Sequence, residues 1–258
     1  MAWTLASWNV NSFKIRETQV LNYLRERPIA VLGLQELKQE THAVNQSALH
    51  DLGYHTAVFG QKTYNGVALI SQFPLHDIQY NLPNFEDPQS RLIAATIQEV
   101  RVINVYVPNG KEVGDPKYEY KLQFLSALQD YVREQLQQYP KLIIMGDFNI
   151  APEDIDVFDP KAWRDKILCS APERKALSDL LSLGLVDSFR HLNPDKSQFS
   201  WWDYRFGGFE KNRGMRIDLI LASKALCLEN KLEKAEIDPK PRTHERPSDH
   251  TPVLLTLT

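Results

Sequence analysis

Cysteine is almost absent: the 258 residues contain two, Cys169 and Cys227. Neither sits in a Cys-x-x-Cys or Cys/His spacing, which argues against a zinc centre. So few thiols also fit a reducing compartment better than a disulfide scaffold. Long apolar runs are missing too, and none approaches the ~20 residues that span a bilayer. Net charge is small: 30 Lys and Arg face 33 Asp and Glu, a formal −3. No global field draws such a chain to a polyanion, so any nucleic-acid binding must come from a local basic face. There is no Gly/Ser linker, low-complexity tract or long block of one charge. The first residues, Met-Ala-Trp-Thr-Leu-Ala-Ser-Trp, carry no basic segment followed by an apolar stretch. No signal peptide or membrane contact is expected, and the cytoplasm is the expected location. The length allows a core that folds without a metal or disulfide, and residues 1–258 read as one domain.

What the sequence does have is a series of short strand-like runs, at 3–8, 29–34, 66–71, 92–97, 102–107, 142–145, 217–221 and 253–257. Helical periodicity lies between some of them. Leu122, Leu125, Leu128, Val132 and Leu136 recur at three- and four-residue intervals and make one apolar stripe. Ser170-Ala171-Pro172-Glu173 has the form of a capping box that opens another helix. Strands and helices mixed in this order predict an α/β protein.

The strand ends carry polar residues that sheet packing does not require. The first run leads into Asn9, the second into Gln35-Glu36, and the run at 102–107 passes through Tyr106. The run at 142–145 leads into Gly146-Asp147-Phe148-Asn149. Two late runs instead begin with acids, Asp218 and Ser248-Asp249-His250. If the late strands run opposite to the early ones, all these groups gather along one sheet edge, where α/β proteins usually place their sites.

Asn9, Glu36, Tyr106, Asp147, Asn149, Asp218, Asp249 and His250 together supply four carboxylates, two amides, a phenol and an imidazole. No serine or cysteine nucleophile with an obvious base stands among them. Massed carboxylates repel one another unless a cation sits between them. Hard oxygen ligands suit Mg²⁺, with Mn²⁺ as a substitute, rather than zinc. Glu36 is the best direct ligand, with Asp249 and Asn9 beside it or acting through water. A metal, a water-activating carboxylate and an imidazolium make a phosphodiester hydrolase. Asp218 beside His250 would favour the charged ring. Asp147 could deprotonate the attacking water, with Asn149 holding it in line. Tyr106 could donate to the phosphate or the departing oxygen. Each residue alone has an ordinary explanation, a turn former or a solvated strand end; their joint occurrence at successive strand ends is what points to a site.

At these residues the chain resembles the exonuclease III family of AP endonucleases, within the endonuclease/exonuclease/phosphatase superfamily. The motifs are Trp8-Asn9-Val10-Asn11, Leu34-Gln35-Glu36-Leu37-Lys38, Asn104-Val105-Tyr106-Val107-Pro108-Asn109-Gly110, Gly146-Asp147-Phe148-Asn149-Ile150, Ser200-Trp201-Trp202-Asp203-Tyr204-Arg205, Arg213-Gly214-Met215-Arg216-Ile217-Asp218 and Ser248-Asp249-His250. The resemblance runs over essentially the whole chain. It implies a four-layer sandwich of two packed mixed β-sheets flanked by helices, with the site at one end. It assigns the eight residues above to catalysis and metal binding and adds Asn109. It also implies a bacterial-type repair enzyme that cuts duplex DNA 5′ to abasic sites, processes damaged or recessed 3′ ends, or does both, as a monomer. Trp201, Met215 and Ile217 would form the pocket for a flipped abasic sugar.

DNA contacts are expected from Lys62 and Tyr64, and from Arg205, Lys211, Arg213 and Arg216, four cations within twelve residues. Tyr118 and Lys121 are further candidates for phosphate contacts. The rival readings are an inositol or lipid phosphatase of the same superfamily, and a catalytically silent DNA-binding module. The second would lack at least one metal or base residue, and every one is present here.

Overall fold

The structure, a computed structural model, describes residues 2–229 and 231–258. In chain order the elements are β1 (Trp3–Asn9), α1 (Phe13–Glu26), β2 (Ile29–Gln35), α2 (Gln46–His50), β3 (His55–Phe59), β4 (Val67–Ser71), β5 (His76–Tyr80), β6 (Leu92–Ile97), β7 (Val100–Tyr106), α3 (Pro116–Gln138), β8 (Leu142–Asp147), α4 (Pro160–Trp163), α5 (Ala171–Leu181), β9 (Leu185–Asp187), α6 (Ser188–Leu192), β10 (Trp201–Trp202), β11 (Gly214–Met215), β12 (Asp218–Ser223), α7 (Lys224–Leu228), β13 (Leu232–Ile237) and β14 (Val253–Leu257).

The strands form two six-stranded sheets, ordered β13-β14-β1-β2-β4-β3 and β5-β6-β7-β8-β12-β9, with β10 and β11 as a separate ribbon. The sheets share a plan. Each has one parallel pair, β1/β2 or β7/β8, and a late strand antiparallel to it, β14 on β1 or β12 on β8. The inner faces meet in a core of Leu5, Val31, Leu69, Ile93, Ile143, Met145, Ile220 and Leu255. Their outer faces are covered as well. Phe13, Val20 and Leu24 of α1 lie on Trp8 and Leu32 of the first sheet. Phe124, Leu125, Leu128 and Val132 of α3, with Leu177 and Leu180 of α5, lie on Ile103, Ile144 and Leu221 of the second. This is a helix–sheet–sheet–helix sandwich. Strands covered on both faces read as continuous apolar runs, which is why β2 and β8 stand out in the sequence.

Local chemistry sets the outer helices. Asp115 caps α3 by accepting from Lys117 N at 2.9 Å, and Pro116 occupies the first turn. Ser170 and Glu173 form the expected reciprocal capping box on α5. Beneath the site end, Asn104 of β7 crosses between the sheets. It donates to the backbone oxygens of Leu34 and Ala68 and accepts from Gln35 at 2.6 Å. A Cβ on Gly33 would stand 2.7 Å from Met145 Cε and 3.0 Å from the Asn104 amide, so a larger residue where the two sheets approach would force both side chains to shift. Among the described residues no helix is long and apolar enough to cross a membrane.

Candidate active site

The sheet plan brings together groups that are far apart in sequence. Parallel pairing puts the C-terminal ends of β1 and β2 side by side, and those of β7 and β8. The antiparallel late strands start where those end. Register then sets Tyr106 opposite Asp147, and Asp147 opposite Asp218, in one row across three strands. Trp201 bridges to His250 on the far side. In Gly146-Asp147-Phe148-Asn149 the glycine is obligatory, because a Cβ at 146 would fall 1.9 Å from Val105 O. Asn11, Glu36 and Asn149 adopt left-handed backbone at φ 43, 53 and 50. Asparagine takes this conformation readily, so of the three only Glu36 is an uncommon residue for it.

Asn9 lies at the centre. Its Nδ2 donates to Glu36 Oε1 at 2.8 Å and to Asp147 Oδ2 at 2.9 Å, while its Oδ1 accepts from Asn11 N. It is thus placed as a donor between two acids, with its oxygen turned away from them. Asp147 also accepts from Asn149 N at 2.9 Å, and its Oδ2 lies 3.7 Å from His250 Nε2. The other ring nitrogen of His250 is 2.8 Å from Asp218 Oδ2. Asp218 in turn accepts from Ser200 Oγ at 2.7 Å. Asn149 Oδ1 accepts from Asn109 Nδ2 at 3.2 Å. Asp249 stands apart from this row: its oxygens accept from Asn11 Nδ2 and Trp201 Nε1, both at 3.0 Å.

The electrostatics follow from this packing. Burial pushes the Asp147 carboxyl above the usual range; His250 opposes this, while Asp218 and Glu36 add to it. Burial alone would lower the His250 imidazolium, but Asp218 and then Asp147 outweigh it and hold the ring well above the ordinary histidine value. Tyr106 is pushed well above the usual phenol value by burial and by Glu36 and Asp147, so it is a donor at neutral pH. The Arg91 guanidinium lies 5.0 Å over its ring.

Glu36, Asp147 and His250 can each present one ligand atom within 4.8 Å of the others. The oxygen donors suit a hard divalent cation. Among the described residues, Lys38 is paired with Glu36, 3.1 Å from its Oε2 and 2.5 Å from Asn11 Oδ1, and Lys121 lies behind Asp147 already committed to Glu173. That leaves the acids short of counter-charge, as a metal site requires.

Loss of the His250 charge should be visible in a pH profile. The imidazolium is present below its pKa and disappears as pH rises through it. Asp218→Asn removes the anion that raises this pKa, so the alkaline fall in cleavage should move to lower pH. A pH–rate series that leaves the alkaline limb in place would show that His250 does not act as a cation.

A family model described as the Endonuclease/Exonuclease/phosphatase family matches residues 6–250. Exodeoxyribonuclease III of Haemophilus influenzae is 36% identical, over 96% of this chain and 97% of its own. The chain belongs to the exonuclease III family of AP endonucleases. Among solved structures, a Neisseria 3′ phosphatase, NExo, bound to a product DNA hairpin, superposes with a TM-score of 0.97 at 44% identity, covering 99% of both chains. An AP endonuclease from Archaeoglobus fulgidus gives 0.94 at 35%, covering 98% of both. Enzymes of this family are metal-dependent nucleases, and the acidic cluster at Glu36 and Asp147 is where this family member can hold the ion.

The remaining expected residues divide into exposed and buried groups. Lys62, Tyr64, Arg205, Lys211 and Arg213 are exposed. Arg205 pairs with Asp203 at 2.6 Å, and Lys211 donates to Phe206 O at 2.9 Å. Asn109 is exposed beside Asn149. Met215 and Ile217 are buried against Leu168 and Cys169, with Trp201 half-buried at the margin. Three of the expected cationic or phenolic contacts do not face outward. Arg216 is buried between Asp156 and Asp187, at 2.7 Å from each. Tyr118 turns its hydroxyl to Ser170, and Lys121 is enclosed with Glu173. A charge cluster in sequence does not distinguish a guanidinium that meets solvent from one that meets buried acids. Sequence reasoning also left Asn11, Lys38 and Ser200 without roles, although all three lie inside the quoted motifs. They bind the acids directly.

Proposed function

We propose that the chain is a Mg²⁺-dependent DNA phosphodiesterase of repair, accepting Mn²⁺ as a substitute, that works chiefly on 3′ ends. The observation that carries this is the row Asn9–Asp147–His250–Asp218 with Glu36 at its head, joined by hydrogen bonds except for the 3.7 Å ion contact between Asp147 and His250. It unites a proton acceptor, an imidazolium and an acidic metal position around one small volume. Asp147 takes a proton from the attacking water, with Asn149 orienting it. His250, kept charged by Asp218, donates to a non-bridging phosphate oxygen as charge develops there. Tyr106 donates to the phosphate or the departing oxygen. Glu36 would hold the metal, which would supply positive charge to the transition state; Asn9, and Asp249 held by Asn11 and Trp201, would act through water. Attack by water in one step leaves a 3′-hydroxyl.

Preference for 3′ ends over internal abasic sites is supported by the state of the apolar cluster. Met215 and Ile217, the candidates for the floor of an abasic pocket with Trp201, have almost no free surface. The Neisseria relative at 44% identity is named a 3′ phosphatase. Beside Tyr106 and Asn109 lies a cavity of about 420 Å³ lined also by Tyr64, Arg91, Lys111 and Lys117. It suits a flanking phosphate and sugar. One domain over residues 1–258 belongs to the same reading, supported by the continuous core between the sheets, and a monomer in the cytoplasm is proposed with it.

The test compares single-turnover rates on one duplex carrying either a recessed 3′-phosphate or an internal abasic site, with an inositol phosphate as a third substrate. The 3′ end should react fastest. Faster abasic incision would reverse the preference, and release from the inositol ester alone would replace DNA as substrate. Affinity has its own signature. Lys211→Ala with Arg213→Ala should weaken binding to all duplexes alike, and lower the slope of log K against log salt by about one for each phosphate that the variant no longer touches. An unchanged slope would place the DNA face elsewhere.

A further inference from the structure

Behind the two asparagine loops lies an ion pair with no access to solvent. Lys121 of α3 and Glu173 of α5 are both fully buried, although the neighbouring helix faces are built of Phe124, Leu125 and Leu177. An ammonium has three donors. One goes to Glu173, one to Asn109 O at 3.1 Å and one to Asn149 O at 2.6 Å. Glu173 is used as fully. Its Oε1 also accepts from Leu168 N at 3.1 Å, and its Oε2 accepts from the N and Oγ of Ser170 at 3.1 and 2.6 Å. The pair therefore ties the cap of α5 to two loops that leave different strands, β7 and β8. In front of it, the amides carried by those loops meet each other at 3.2 Å. The contact is close on the stem side too: a Cβ on Gly110 would stand 3.1 Å from Lys121 Cδ.

Stability alone is a poor reason for such a pair, since apolar residues of similar volume often serve as well as a buried ion pair. An apolar side chain at 121 would, however, leave both carbonyls without this donor. We infer that Lys121 is a positioning residue: its ammonium, anchored by Glu173, fixes the separation of the Asn109 and Asn149 loops and thereby the aim of both amides at the reacting phosphate and water. This deepens the proposed function and rests on it. The single replacement Lys121→Met would strand the Glu173 carboxylate, so its effect would mix folding with chemistry. The double replacement K121M/E173Q removes both charges, keeps volume, and leaves an amide oxygen at position 173 to accept from the α5 cap.

The experiment measures K121M/E173Q and the unaltered chain side by side. Its readouts are thermal unfolding, DNA affinity, single-turnover rate on the 3′-phosphate duplex, and amide hydrogen exchange at residues 109–110 and 149–150. The expected result is a folded protein with DNA affinity near normal, faster exchange in both loops, and a rate about a hundredfold lower, the scale of a misplacement of ~1 Å. A folded double variant with normal rate and unchanged exchange overturns the inference. If K121M/E173Q does not fold, K121L/E173Q, which likewise leaves no donor at 121, is read by the same criteria. If the unaltered chain leaves the DNA intact, the functional reading fails. The exchange measurement then still decides whether Lys121 holds the loops.

Discussion

Asp147→Asn is expected to lower single-turnover cleavage by roughly two to four orders of magnitude, the usual scale for losing a general base. The substitution keeps size and one acceptor oxygen, so one of the two bonds, from Asn9 Nδ2 or from Asn149 N, can persist. What it removes is the ability to take a proton. DNA binding should stay near normal or tighten, because a negative charge facing phosphate is gone. Two other roles for Asp147 predict different outcomes. A turn former would change thermal stability and leave the rate of folded protein alone. A metal ligand, a role compatible with its place beside Glu36 and His250, would be rescued in large part by raising Mg²⁺. A rate, a binding curve and a metal titration on this one variant separate the three, and rescue by excess metal would move the base to another residue.

Glu36→Gln is expected to cost about three orders of magnitude at ordinary Mg²⁺, corresponding to the several kcal/mol of charge stabilisation that a catalytic metal supplies. Glu36 sits at φ 53, just after the end of β2, with its Oε1 2.8 Å from Asn9 Nδ2. Its oxygens meet Asn9, the Lys38 ammonium and the Tyr106 hydroxyl. A glutamine can still accept from Asn9 but carries no charge for the ion. The measurement is cleavage against Mg²⁺ concentration for both proteins. A variant that reaches the normal rate at the normal metal concentration would remove Glu36 from the metal site.

The inner strands were legible in the sequence, and the outer ones not, for a physical reason. β2, β8 and β12 are covered on both faces and carry near-continuous apolar stretches, and β1 and β7 are mostly apolar despite Thr4, Ser7, Arg101 and Asn104. β5 and β13 are edge strands, His-Asp-Ile-Gln-Tyr and Leu-Glu-Lys-Ala-Glu-Ile, with mostly exposed or half-exposed side chains, and have little apolar signal. α1 escaped because its buried positions include Arg16 and Tyr23, which blur the stripe. At the site, the residues at strand ends were visible because nothing in sheet packing explains them. Which oxygen faces which donor was not visible. Asn9 turned out to donate to Glu36 and Asp147, and Asp249 to be held by Asn11 and Trp201, because those contacts depend on the register between strands distant in sequence. Lys121 and Arg216 read as exposed cations, yet each is enclosed with acids from other segments of the chain, Glu173 for the first and Asp156 and Asp187 for the second.

The most direct measurement is phosphate release from a duplex with a recessed 3′-phosphate, using the unaltered chain in Mg²⁺, the same chain in chelator, and Asp147→Asn in Mg²⁺. The account predicts inorganic phosphate and a 3′-hydroxyl end in the first, none in the second, and bound but nearly uncleaved DNA in the third. Release at the full rate in chelator, or by the Asn variant, would contradict it.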